Sequence, residues 1–163
     1  MSGASFAVKK NELKVEMEHV FDAPCELVFK AFTESELIPE WWGPRNTKTR
    51  VEKNDLRLGG AWRFVFAGGG REDAFYGVYL KIQPPELIAH TFNYEPIGPG
   101  HEVTETARLE QLKDGRTKVT AVCEYKNIED LEGMVGAGME PGASESYDRL
   151  GELLGTLQYS NAR

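Results

Sequence analysis

The sequence predicts an α+β fold in which one curved antiparallel sheet of seven strands wraps a long C-terminal helix. Three observations predict it. Six segments between residues 47 and 126 alternate apolar with polar positions and are joined by short turns, as in an antiparallel meander. The last part of the chain repeats apolar residues at helical spacing. Ahead of the meander lie one more alternating segment and two short helical patterns.

The elements follow in order. Residues 1–11 read as a flexible N-terminal tail, residues 12–158 as a single domain and residues 159–163 as a C-terminal tail. In the first strand, Leu13, Val15, Met17 and His19 share a face. Pro24 is suited to helix entry, because its ring presets φ and it lacks an N–H that would be orphaned there. Leu27, Val28, Ala31 and Phe32 then recur at helical spacing. Thr33 and Glu36 form a capping-box pattern, which predicts a second short helix ending at Gly43-Pro44. Strands are expected near 47–56, 60–67, 73–82, 86–94, 102–111 and 116–126. Lys113-Asp114-Gly115-Arg116 and Gln83-Pro84-Pro85-Glu86 read as hairpin turns, as does Gly68-Gly69-Gly70, which no helix and no Lys-Ser/Thr follows as a phosphate loop requires. Ile128 opens the C-terminal helical part, Gly136-Ala137-Gly138 interrupts it, and Pro141 restarts it. Ala143, Tyr147, Leu150, Leu154 and Leu157 then line one face, which must bury against the sheet.

Composition narrows the function classes. The 163 residues carry 19 Lys plus Arg against 26 Asp plus Glu, a net charge of −7, with no basic run. That argues against a nucleic-acid binder that works by neutralising phosphates. No apolar run approaches the roughly 18 residues of a membrane span. The first residues lack the charged-then-apolar pattern of a signal peptide, and the two cysteines, Cys25 and Cys123, make no disulfide framework. These observations predict a cytoplasmic protein with reduced, buried thiols.

A helix gripped by a curved sheet leaves space where the sheet splays away, and aromatic residues gather where that space should be. Trp62, Phe64 and Phe66 share one strand face; Tyr76 and Val78 are assigned inward on the next strand; His90, Phe92 and Tyr94 follow on the third, and Tyr125 on the last. Trp41 and Trp42 stand at the expected cavity mouth, Met134 and Met139 flank the helix break, and Tyr147 lies on the apolar face of the long helix. Together these fourteen residues form the expected ligand cavity, which offers large apolar area with few polar handles. The break at Gly136-Ala137-Gly138 is expected to gate it.

Two residues carry possible chemistry. His90, between Ile88 and Phe92, titrates near neutral pH; Glu105 shares a face with Val103 and Ala107, where a carboxylate must be paired or shifted in pKa. If the two met they would form an acid–base pair, and each also has a plain reading, a hydrogen-bonded core histidine and a strand-edge carboxylate. Asp55 and Arg57 read as an ion pair setting a turn. His19, His90 and His101 have no metal-ligand spacing and no Gly-x-Ser-x-Gly elbow is present, so neither a metal nor another cofactor is expected.

An ordered set of motifs carries a family resemblance. Phe21-Asp22-Ala23-Pro24, Val28-Phe29-Lys30-Ala31-Phe32, Trp41-Trp42-Gly43-Pro44, Asp55-Leu56-Arg57-Leu58-Gly59-Gly60, Gly77-Val78-Tyr79, Ile82-Gln83-Pro84-Pro85-Glu86 and Ser146-Tyr147-Asp148-Arg149-Leu150 run in family order over about residues 12–158. The chain thereby resembles the START-like superfamily, also called SRPBCC or helix-grip, and within it the group similar to the activator of Hsp90 ATPase. The resemblance implies the helix-grip fold, whose members include lipid- and polyketide-binding proteins, cyclases, hydrolases, self-sacrificing resistance proteins and co-chaperone domains. Fold alone does not choose among them. Three readings follow: a binder of an apolar or aromatic small molecule, a cyclase- or hydrolase-type enzyme using the same cavity, or an adaptor acting on a chaperone ATPase. Monomer or weak dimer is the expected state.

Overall fold

The structure, a computed structural model, describes residues 5–161. In chain order these form β1 (Ser5–Lys9), β2 (Lys14–Phe21), α1 (Cys25–Thr33), β3 (Lys48–Asn54), β4 (Ala61–Gly68), β5 (Arg71–Gln83), β6 (Leu87–Tyr94), β7 (Val103–Gln111), β8 (Thr117–Glu124), α2 (Ile128–Gly136) and α3 (Met139–Asn161). The strands lie in the order β1-β2-β8-β7-β6-β5-β4-β3, with every neighbouring pair antiparallel. The first hairpin therefore docks on the last strand, and the meander runs from there to the far edge. This is the α+β helix-grip architecture.

The sheet has eight strands where seven were expected. The additional one, β1, comes from the expected N-terminal tail. Leu13 adopts a left-handed conformation (φ 56°), and the turn it closes folds Ser5–Lys9 back onto β2. The strand leaves little alternation in the sequence because it is an edge strand, and only Phe6 packs inward against the core. At the other end, α3 continues through residues 159–161, where a tail was expected.

The second short helix is absent as such. Thr33 is the last residue of α1, and its buried hydroxyl donates back to the Phe29 carbonyl at 2.8 Å, so it cannot cap forward. Glu34 is extended, and the segment after it makes only a single helical turn at Ile38–Glu40.

Between the sheet and the helices lies the main core. Tyr147, Leu150 and Leu154 of α3 pack with Val28, Phe29 and Ala31 of α1 and with Phe21, Leu109 and Val119 of the sheet. A second cluster, Val15, Val103, Cys123, Tyr125 and Leu131, seats α2. The break between the helices falls at Ala137 and Gly138, the latter at φ +96°, a conformation that favours glycine.

Leu154 is only 1% exposed. Leu154→Ala is expected to lower unfolding free energy by about 2–5 kcal/mol in urea titration, through lost burial and the cavity left behind. A loss below about 1 kcal/mol would contradict this packing.

Candidate functional site

At the end of α3 nearer its start, the sheet and the helix do not meet. The space between them is a cavity of about 420 Å³, within the range of small-molecule sites. Its walls come from the concave faces of β4, β5 and β6, the loop after α1, and the break between α2 and α3.

The aromatic wall is built by strand alternation. Trp62, Phe64 and Phe66 of β4 and His90, Phe92 and Tyr94 of β6 line the cavity, alternating as the sequence pattern implies. On β5 the parity is reversed. Phe75 and Tyr79 line the cavity, whereas Tyr76 and Val78 do not. Tyr76 pairs with Arg63 and Asn93, and Val78 with Ala61, all on the outer face. The pairing register shifts between Tyr79 and Lys81, leaving Leu80 as an exposed extra residue. That bulge switches parity, so Ile82 returns to the core after Tyr79. Because β5 is apolar on both faces, its alternation alone does not reveal which face is inside. Tyr125 also lies off the cavity. It belongs to the cluster under α2, and its hydroxyl meets Met139 Sδ at 3.3 Å. Met134, Met139 and Tyr147 do line the cavity.

The loop Trp41-Trp42-Gly43-Pro44 closes one side. The Trp41 indole N–H donates to the Ala31 carbonyl at 2.9 Å, anchoring the ring in the core. Trp42 turns edge-on to Phe64, Phe66 and Phe75, with ring centroids 5.4, 6.1 and 5.4 Å away. From α3, Arg149 donates to the carbonyls of Gly43 (2.9 Å), Pro44 (3.3 Å) and Glu40 (3.2 Å), while Ser146 Oγ accepts from the Gly43 N–H at 3.0 Å. Arg45 adds a bidentate contact to Glu152. Ser146 and Arg149 were not among the expected site residues; their partners are backbone groups, which no side-chain pattern discloses.

A row of polar side chains crosses the sheet along the cavity wall. Tyr79 pairs with His90, His90 with Glu105, Glu105 with Cys123, and Cys123 with Val15. His90 Nε2 lies 3.1 Å from Glu105 Oε1, and Cys123 Sγ lies 3.5 Å from Glu105 Oε2. The structure thus brings the two candidate chemical residues side by side. Burial pushes the Glu105 carboxyl up, but the His90 imidazole and the Cys123 thiol outweigh it, and the group sits below its ordinary range. Burial, reinforced by Glu105, raises the Cys123 thiol well above its usual value, so it is a poor nucleophile. Burial also raises Tyr79 and Tyr147. Trp62 stands edge-on to His90 at 5.3 Å, and its indole N–H is buried without a partner among the described residues.

Outside this row, Asp55 and Arg57 form the expected exposed ion pair at 2.8 Å. His101 contacts Asp130 at 2.7 Å, and burial lowers the pKa of His19, partly offset by Asp148. Among the described residues no group of three His, Cys, Asp or Glu is placed to hold a metal ion.

The family described as Activator of Hsp90 ATPase homolog 1-like protein matches residues 22–155, most of the chain and every cavity-lining residue but Met17. The chain belongs to that family. Its AHSA1-like fold recurs in solved structures. A protein of Arthrobacter aurescens superposes with a TM-score of 0.86 at 21% identity, covering 93% of this chain and 91% of that one. One from Chromobacterium violaceum gives 0.78 at 26% identity, over 87% and 96% of the two chains. The AHSA1 protein of Silicibacter pomeroyi gives 0.72 at 19% identity, over 88% and 98%. No curated protein matches the chain. These likenesses carry the fold, and the AHSA1-like domain's role rests on the cavity itself.

The depressed Glu105 carboxyl has a pH signature. A carboxylate whose folded pKa lies below the unfolded 4.5 contributes stability that is complete above pH 4.5 and is lost as pH falls through the folded value. The stability difference between wild type and Glu105→Gln, from urea midpoints between pH 3 and 7, is therefore expected to be constant above about pH 4.5 and to shrink below it. A difference independent of pH would rule out the lowered carboxyl.

Proposed function

We propose that this AHSA1-like protein binds an apolar, aromatic small molecule in the cavity between the sheet and α3. One observation carries the reading: a concave space of about 420 Å³ between the sheet and the helix, open to solvent on one side and walled largely by aromatic rings. Concave, mostly apolar pockets of this size with a few polar groups are where folded proteins bind small molecules. The proposed contacts are Trp42, Trp62, Phe64, Phe66, Phe92 and Tyr147, with His90 and Glu105 as polar handles. Met134 and Met139, flanking Gly138, are proposed as the gate. The buried free thiols of Cys25 and Cys123 support a reducing, cytoplasmic setting. No helix among the described residues is long and apolar enough to cross a membrane.

Two other uses have a specific support each. His90 beside Glu105 supports a reading as an acid–base enzyme acting on the bound molecule. Membership of a family described by Hsp90 ATPase activation supports an adaptor acting on a chaperone ATPase.

Titration with N-phenyl-1-naphthylamine separates the two cavity readings from the adaptor. Saturable quenching or transfer from the tryptophans is expected, and Trp62→Leu should weaken binding by about 1–3 kcal/mol. The absence of a saturable change up to millimolar probe, across aromatic, polyketide-like and lipid molecules, would transfer the case to the adaptor, tested next by stimulation of a chaperone ATPase.

A further inference from the structure

The polar row on the cavity wall is rich in acceptors and lacks fixed cations. Among the residues that line the cavity, Glu105 is the sole carboxylate, and there is neither Lys nor Arg. A carboxylate has about four lone-pair directions. Those of Glu105 meet His90 at 3.1 Å and Cys123 at a long 3.5 Å, so acceptor capacity remains toward the cavity.

His90 holds one side of the carboxylate: a ring nitrogen 3.1 Å from a carboxylate oxygen carries its proton, since two lone pairs would repel there. The Tyr79 hydroxyl is already committed as a donor to Asn54 Oδ1 at 2.6 Å, and the Tyr94 hydroxyl to Asp73 at 3.0 Å. Neither is free to greet a ligand acceptor, and the Trp62 indole N–H, buried without a partner among the described residues, is a neutral donor that carries no charge to offset a carboxylate.

Resting on the ligand-binding reading above, we propose that the cavity selects an aromatic molecule that carries a hydrogen-bond donor, a phenol-type hydroxyl or an amine, and rejects one that carries a carboxylate. The aromatic body stacks among Trp42, Trp62, Phe64 and Phe75, and the donor lands on Glu105. A donor placed there gives a buried carboxylate a further partner in a medium of low dielectric. A ligand carboxylate would bring a second negative charge beside the first, with no guanidinium or ammonium to receive it.

Four matched probes test this by displacement of N-phenyl-1-naphthylamine: naphthalene, 2-naphthol, 2-naphthylmethylamine and 2-naphthoate. The hydroxyl or ammonium probe is expected to bind roughly 10- to 100-fold more tightly than 2-naphthoate, the span expected when a hydrogen bond to a charged group is gained or lost. It should also bind more tightly than naphthalene, and the leader of the two tells a hydroxyl site from an amine site. In Glu105→Gln, shown folded by circular dichroism, the preference over 2-naphthoate should collapse toward unity. The wild-type series decides if that variant does not fold. Equal affinities for all four probes, or a lead for 2-naphthoate, would overturn the selectivity while leaving ligand binding intact. Failure of every probe, reporter included, would instead overturn the ligand-binding reading on which it rests.

Discussion

The packing of Leu150, Leu154 and Tyr147 against the concave face of the sheet is the contact on which the rest of the molecule depends. These side chains seal one end of a curved eight-stranded sheet, and α1 closes over the same cluster. Sealing there leaves the sheet diverging from the helix at the other end. A straight helix cannot follow a twisted sheet along its full length, so an interior space follows from the geometry of the two elements. The cavity is the part of the concave face that α3 does not reach.

That space needs an outer wall, and the wall is held by α3 itself. Arg149 and Ser146, on the turns just before Leu150 and Leu154, bind the backbone of the loop that carries Trp41 and Trp42. The same helix therefore fixes the core with one face and the cavity rim with another. Trp41, tied to the Ala31 carbonyl, lines the cavity from the core side, and Trp42, packed edge-on against three phenylalanines, lines it from the rim. The break at Ala137 and Gly138 leaves the opposite side of the rim to α2, which is seated by its own small cluster rather than by the main core.

Inside, antiparallel pairing has aligned Tyr79, His90, Glu105 and Cys123 on one transverse row. Each alone reads as an ordinary core or strand residue. Placed on adjacent strands at one register, they become a charged, hydrogen-bonding strip in an otherwise aromatic chamber. The depressed carboxyl of Glu105 and the raised thiol of Cys123 are two consequences of that single juxtaposition.

Much of this was legible in the amino-acid order. The alternation of β4 and β6 places Trp62, Phe64 and Phe66, and His90 and Phe92, on inward faces without reference to any neighbour. The spacing of Ala143, Tyr147, Leu150 and Leu154 sets the buried face of α3, and Gly136-Ala137-Gly138 marks its break. Such features are local, because each depends only on the geometry of one element. Tertiary structure alone decided the rest. The bulge at Leu80 chose which face of β5 is inward, a choice that a strand apolar on both sides leaves open. Edge pairing with β2 turned residues 5–9 into a strand, although their own pattern is too short to require one. The hydroxyl of Thr33 turned back to a carbonyl instead of capping forward. Register between strands set His90 beside Glu105 and Cys123, and backbone carbonyls drew Arg149 to the loop. Alternation orients side chains within a strand but not strands against one another, and backbone acceptors are the same at every residue, so neither relation is written in the sequence.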